Sequence, residues 1–146
     1  MEYRRLTTQD IPAVAAFAIE GMRVDLYPGL ELSRLKVEFV TKHFAESFQD
    51  FHLAAFDAGR LVGAIAAAVQ EPLFFNRAEA HVVMCRAVVP GVGRRLIAAL
   101  RRWADQDQRV RRVIFPQEFH ADPRVLRLLG RYGFTQRTTV CVFNKG

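Results

Sequence analysis

The run from Ala78 to Phe115 constrains the fold more than any other part of this chain. Ala78 to Val89 reads as a long strand, with Glu79, His81, Val83 and Cys85 on one face by strict alternation. Pro90-Gly91-Val92-Gly93 stops it and opens a helix. Along that helix Leu96, Ala99, Leu100 and Trp103 face one way, while Arg94, Arg95, Arg101 and Arg102 form the other side. Val113 to Phe115 follows as a short strand. A strand–helix–strand unit of this kind joins parallel neighbours by a right-handed crossover, so the chain is expected to be an α/β protein.

The flanking segments extend that reading to a mixed sheet flanked by helices. Glu2 to Leu6 is a short strand, and Asp10 to Met22 a helix in which Thr7 and Asp10 resemble a capping box. Tyr27-Pro28-Gly29 is a turn, and Ser33 to Phe48 a second helix with Val37, Val40, Phe44 and Phe48 on one side. Phe51 to Phe56 and Arg60 to Val69 form a hairpin around Asp57-Ala58-Gly59, and Glu71-Pro72 breaks the second strand. Asp122-Pro123 starts a helix with Val125, Leu126, Leu128 and Leu129 on its apolar face, ended by Gly130 or Gly133. Phe134 to Gln136 and Thr139 to Phe143 are expected as closing strands. No repeat or linker divides the 146 residues, so residues 1–146 are expected to form a single domain. Two cysteines 56 residues apart form neither a disulfide framework nor a metal pattern, and both fall in apolar strand patterns suited to inert thiols. With no secretion signal at Met1–Arg5 and no apolar run of bilayer length, a cytoplasmic protein without membrane contact is expected.

The charge is one-sided. Residues 1–93 carry a net −2 and residues 94–146 a net +8. A field of that kind favours an anionic partner: a phosphate group, nucleic acid or an acidic metabolite. It begins where the glycine turn lets the backbone approach a ligand closely, and where the free N–H groups of the helix's first turn favour an anion such as a pyrophosphate. The arginine stripe also suits a plainly solvated helix face, and no interleaving of aromatic with basic residues marks a single-strand binding platform.

The order of these elements resembles the GCN5-related N-acetyltransferase (GNAT) family over nearly the whole chain. Arg4-Arg5-Leu6-Thr7 leading to Asp10–Val14 is similar to its opening. Leu53–Phe56 and Gly59–Gly63 look like its second and third strands. Val89-Pro90 with Gly91-Val92-Gly93-Arg94-Arg95-Leu96 resembles its acyl-CoA motif, and Arg127–Phe134 the end of its last helix. The resemblance implies an acyl-CoA N-acyltransferase topology and transfer of an acetyl group from acetyl-CoA to an amine of a small molecule or protein. Val88, Val89, Gly91, Val92, Gly93, Arg94 and Arg95 would hold the coenzyme. Asp122 stands where the family often has asparagine near it. Three departures accompany the likeness: Val88 stands where the motif has Gln or Arg, Pro90 adjoins Gly91 without the usual spacer, and Leu129 holds the position of the tyrosine that protonates the departing thiolate. Tyr132, three residues on, points about 60° away from that direction on a regular helix.

An amine attacking a thioester needs a base, donors for the thioester oxygen and an acid for the sulfur. Glu79, His81 and Glu118 are candidate bases, with His120 beside them. Backbone near Val88 is the expected oxygen donor; water, Tyr132 or Cys141 remain as acids. Tyr27 and Glu31 are expected to meet the acceptor, and no metal is called for. A second reading from another class stays open: a GNAT-fold binding module without transferase activity, engaging nucleic acid or an acidic partner through its basic C-terminal third. The short loop and Leu129 favour it; the retained Gly-x-Gly and the full-length match favour the enzyme. Exposed final strands offer a route to a homodimer.

Overall fold

Small apolar residues alternating across Phe51–Asp57 and Arg60–Gln70 let both faces of these strands be buried, and they form the middle of one five-stranded sheet. In the computed structural model, which describes residues 1–116 and 122–145, the strands follow chain order: β1 (Glu2–Arg4), β2 (Phe51–Asp57), β3 (Arg60–Gln70), β4 (Ala78–Ala87) and β5 (Val110–Ile114). The first three pairings are antiparallel, and β4 pairs with β5 in parallel through the crossover helix α3 (Val92–Gln106). Helices α1 (Ile11–Gly21) and α2 (Arg34–Glu46) cover one face of the sheet, α3 and α4 (Pro123–Arg131) the other.

The core is correspondingly double. On the α3 side, Leu96 and Leu100 are fully buried against Ile65, Val82 and Ala80. On the α1 side, Val14 and Phe17 pack on Ala54, Phe56 and Ala64. Burying such side chains stabilises a fold by roughly 1.5–3 kcal/mol each before entropy is counted.

Two bulges decide which side chains face which layer. Ala66 pairs with Met84 but Ala67 with Val82, so Val83 is an extra residue on β4. The alternation expected across β4 therefore breaks: Glu79 and His81 stay off the α3-side core, but Cys85 switches to join Ala80 and Val82 in it. Burial pushes the Cys85 thiol up to about 12, which leaves it protonated and inert. Cys141, by contrast, is exposed. A second bulge, between Ala55 and Phe56, makes Val62 the extra residue on β3.

The N-terminal cap forms as its sequence indicates. The Asp10 carboxylate accepts from the Thr7 N–H at 2.7 Å and holds Arg4 through two bonds of 2.7 and 3.0 Å. The arginine keeps the carboxyl well down, to about 2. Asp10→Ala is expected to cost about 1–2 kcal/mol at neutral pH, measured by urea unfolding. The folded carboxyl titrates below the unfolded one, so the native Asp10 contribution holds above about pH 4 and fades as pH falls toward 2.

Two expectations fail at helix and chain ends. Helix α2 stops at Glu46 with Ser47 extended, so Phe48 leaves the apolar stripe and is 93% exposed. The two closing strands are not present: residues 134–145 form no ladder. Gly133, at φ +89°, turns the chain so that the Phe134 N–H reaches back to the Leu129 carbonyl at 3.1 Å. Phe134 then packs edge-on against Phe115 at 5.1 Å instead of pairing with β5. Val140, Val142 and Phe143 are left exposed, with no core face to receive them, and the strand edge expected to pair two subunits is absent among the described residues. Nor is any described helix long and apolar enough to cross a membrane.

Candidate functional site

The parallel ladder between β4 and β5 ends at His81 and Ile114, while β4 runs on to Ala87. Among the described residues, Val82–Ala87 is thus paired to β3 along one edge and has no β5 partner along the other. The bulge at Val83 lies in this stretch and bends the strand further. Residues beyond it run straight into the turn at Pro90.

That turn is closed by Gly91, which takes φ +84° as the N-cap of α3. A β-carbon there would meet nothing within 4 Å, so the backbone faces open space. The Val92 N–H is used on the Val89 carbonyl, and the first full-turn bond runs from the Arg95 N–H to the Gly91 carbonyl. The Gly93 and Arg94 N–H groups precede it and have no acceptor within the helix, the arrangement that favours an anion. Arg94 is exposed at this mouth. Arg95 is exposed too but leans over the Tyr3 ring at 5.6 Å. The Val88 N–H donates to the Val62 carbonyl at 2.9 Å, so it is not free to act as the expected oxygen donor.

A cavity of about 520 Å³ opens on the other side of the same stretch of β4. Val83–Arg86 form one wall, Val14, Ala18 and Gly21 of α1 another, and Val37, Val40, Thr41 and Phe44 of α2 a third. The segment between the two helices, Met22–Leu32, closes it and brings Tyr27 and Glu31 to the lining. Arg86 crosses beneath: its guanidinium donates to the Phe17 carbonyl at 2.7 Å, stacks 4.4 Å from the Phe17 ring and approaches Glu20 at 3.3 Å. Gly21 gives the Arg86 side chain room to pass, since a β-carbon there would push against it.

The remaining candidates are scattered. Glu79 and His81 sit on the half of β4 that still pairs with β5; their side chains are 3.9 Å apart, with Arg112 3.6 Å from Glu79, and neither lines the cavity. Glu118 and His120 lie outside the described residues. Asp122 caps α4, accepting from the Arg124 N–H at 2.9 Å. Leu129 is buried in the core, and Tyr132 lines a different cavity of about 730 Å³ between α3, β5 and α4, where its carbonyl accepts from Arg101. Neither reaches the β4 cavity.

Sequence reasoning missed Arg86 and the apolar wall it supports, because the bulge that orients Met84 and Arg86 carries no glycine or proline signal. It also missed a buried pair on β2's entry. Asp50 accepts from the Val69 N–H and the Ser47 hydroxyl, both at 2.8 Å, and from the His43 ring at 3.0 Å. These hydrogen bonds outweigh burial and hold its carboxyl below the usual range. His52 is buried beside it.

No family model and no curated protein matches this chain. Solved structures do. An aminoglycoside acetyltransferase from an uncultured soil metagenomic sample, in complex with sisomicin, is 15% identical with a TM-score of 0.68, over 99% of this chain and 95% of that one. A predicted acetyltransferase with acetyl-CoA from Clostridium acetobutylicum is 14% identical with a TM-score of 0.70, over 98% and 95%. A transcriptional regulator from Bacillus halodurans is 14% identical with a TM-score of 0.74, over 99% of both chains. At these identities the likeness speaks for the architecture, a five-stranded mixed sheet flanked by four helices among the described residues. This chain has the GNAT acetyltransferase fold.

Proposed function

We propose that this protein is an N-acyltransferase that moves an acetyl group from acetyl-CoA to an amine bound in the β4 cavity. The observation that carries the reading is a coincidence on one strand. The edge of Val82–Ala87 that no described β5 residue pairs, the glycine turn that follows it and the cavity wall at Val83–Arg86 are all consecutive parts of β4 and its exit.

The residues fit the donor. Gly91 leaves the approach to the helix clear, the Gly93 and Arg94 N–H groups would hold the pyrophosphate, and the Arg94 side chain would add charge. When bound, an acyl-CoA supplies a thioester whose C–S bond breaks as the acceptor's N–C bond forms, the amine losing a proton and the sulfur gaining one. The β4 edge beyond His81, unpaired among the described residues, would offer backbone N–H groups for orienting a carbonyl, a role the engaged Val88 N–H does not fill. Tyr27 and Glu31 stand at the acceptor side. With Leu129 buried in the core and Tyr132 in the other cavity, neither is placed to give the sulfur its proton.

Isothermal calorimetry of acetyl-CoA against wild type and Gly91→Glu tests this. Saturable binding is expected, weakened at least about tenfold by a carboxylate placed at the helix's positive end. A thermal melt checks that the variant is folded. No binding to the wild type at millimolar acetyl-CoA would remove the enzyme reading.

The alternative, a nucleic-acid or acidic-partner module, draws on the +8 charge of residues 94–146 and on the likeness to the Bacillus halodurans regulator. Two of the basic side chains in this segment are committed within the chain, to carboxylates that the net +8 already counts and to backbone carbonyls. Arg101 holds Asp105 and the Tyr132 carbonyl, and Arg109 holds Asp107 and the Gln49 carbonyl. Duplex DNA binding that falls steeply with salt, without acetyl-CoA binding, would favour it instead.

A further inference from the structure

From the walls of the β4 cavity we infer that the acceptor is a monoamine on an apolar body, an alkylamine or arylalkylamine, with its ammonium group recognised by Glu31. This rests on the acyltransferase reading and names the substrate class for the same site.

The lining is mostly hydrocarbon, and much of that hydrocarbon faces water. Met22, Val24, Leu30, Leu32, Val40 and Val83 all line the cavity and are each between 42% and 71% exposed. Exposed large apolar groups scattered singly mean little, but here they converge on one concave space of about 520 Å³, within the range of small-molecule sites. An apolar ligand would dehydrate them; a polyhydroxylated one would lose its own hydration against them.

Charge narrows the class further. Three charged side chains line the cavity: Arg23, Arg86 and Glu31. Arg23 is bound to Asp25 through two bonds of 3.0 and 2.9 Å. Arg86 is engaged by the Phe17 carbonyl and Glu20. Glu31 has no hydrogen-bond or ion-pair partner among the described residues. The uncommitted charge is therefore a single carboxylate, the complement of one ammonium group. An aminoglycoside such as the sisomicin bound by the soil-metagenome enzyme carries several ammonium groups, and here it would meet one uncommitted carboxylate. The cavity leaves the further ammonium groups of such a ligand without a partner and suits a singly charged one.

The test combines turnover with direct binding. Release of the CoA thiol is followed with a chromogenic disulfide for a series from 1-butylamine to 1-octylamine, for 2-phenylethylamine and for sisomicin. Calorimetry measures 1-octylamine binding to the protein without donor. The expected kcat/KM rises about three- to fourfold per added methylene until the cavity is full, and sisomicin is the poorest acceptor. Glu31→Gln is expected to raise the KM for 1-octylamine about five- to tenfold, with the loss falling on KM rather than kcat. Leu30→Lys, at a position 71% exposed and therefore tolerant of change, is expected to raise it at least as much by repelling the ammonium.

A flat methylene series with acetyl-CoA bound, or preference for sisomicin, overturns the assignment while leaving the acyltransferase reading intact. If acetyl-CoA does not bind but 1-octylamine does, with the Glu31→Gln penalty, the donor reading fails and the ligand class of the cavity stands.

Discussion

Gly63→Val is expected to destabilise the protein by about 1–3 kcal/mol and to weaken acetyl-CoA binding at the same time. A β-carbon at Gly63 would lie 2.5 Å from Val92 Cγ1 and 3.2 Å from Leu96 Cδ1. Both partners are buried in the α3-side core, so neither has room to retreat. Val92 is β-branched and held to one preferred rotamer in a helix, so its methyl cannot swing aside cheaply. What must yield is the position of the first turn of α3 above β3. That turn carries Gly91, Gly93 and Arg94, and the added methyls thus act on the donor site from below without touching it. Urea unfolding gives the stability change, and calorimetry of acetyl-CoA on the still-folded variant gives the second effect. A variant as stable as wild type would mean that α3 is not seated on Gly63 in solution. A destabilised variant with unchanged acetyl-CoA affinity would separate the helix position from the donor site.

The same helix shows why part of this molecule is legible in its sequence. Helix α3 has a wide polar face and a narrow apolar one, so Leu96 and Leu100 declare themselves by spacing alone, and the glycine turn before it is a local signal. The hairpin of β2 and β3, the cap at Asp10 and the cap at Asp122 are equally local and form where the residues indicate. The fold class follows from these, because a strand, a glycine turn and an amphipathic helix leave few topologies.

The cavity is different in kind. Its walls come from α1, α2, the segment between them and the bulged part of β4, so no single stretch announces it. Strict alternation assigns Cys85 the face of Glu79 and His81, and one extra residue at Val83 reverses that. A bulge made of valine and methionine has no compositional mark, which is why Glu79 and His81 look catalytic in the sequence while Arg86 does not. The apolar residues of Met22–Leu32 follow no period, and in isolation they read as loop. Tyr27 and Glu31, which line the cavity, could be singled out only through the resemblance in element order, not through any spacing of their own. The tail fails for the opposite reason. Thr139–Phe143 alternates well enough for a strand, but alternation specifies a strand only when a neighbouring edge and a core face are available.

His52 is expected to make the protein acid-sensitive above the range where carboxylates titrate. The ring is only 2% exposed, and its Nδ1 accepts from the Leu6 N–H at 3.1 Å. The Arg5 guanidinium lies 3.0 Å from Nε2. A second proton would have to displace the Leu6 bond and would put a cation beside a cation in a buried site. Burial and then Arg5 lower the ring to about 4, against a weaker opposing pull from Asp50. The unfolded ring titrates near 6.5, so between about pH 6.5 and 4 the unfolded chain binds more protons than the native one. Stability is therefore complete above pH 6.5 and is lost as pH falls through 4, by about 3 kcal/mol in total. The Asp10 contribution fades only below this window, so the two can be told apart by where the slope lies. Urea midpoints measured at half-unit steps from pH 7.5 to 3.5 read it out. His52→Gln, whose amide oxygen can still accept from the Leu6 N–H, is expected to flatten the curve above pH 4 while keeping most of the stability at pH 5. An unchanged slope in that variant would assign the acid loss to other groups and leave His52 as a packing residue.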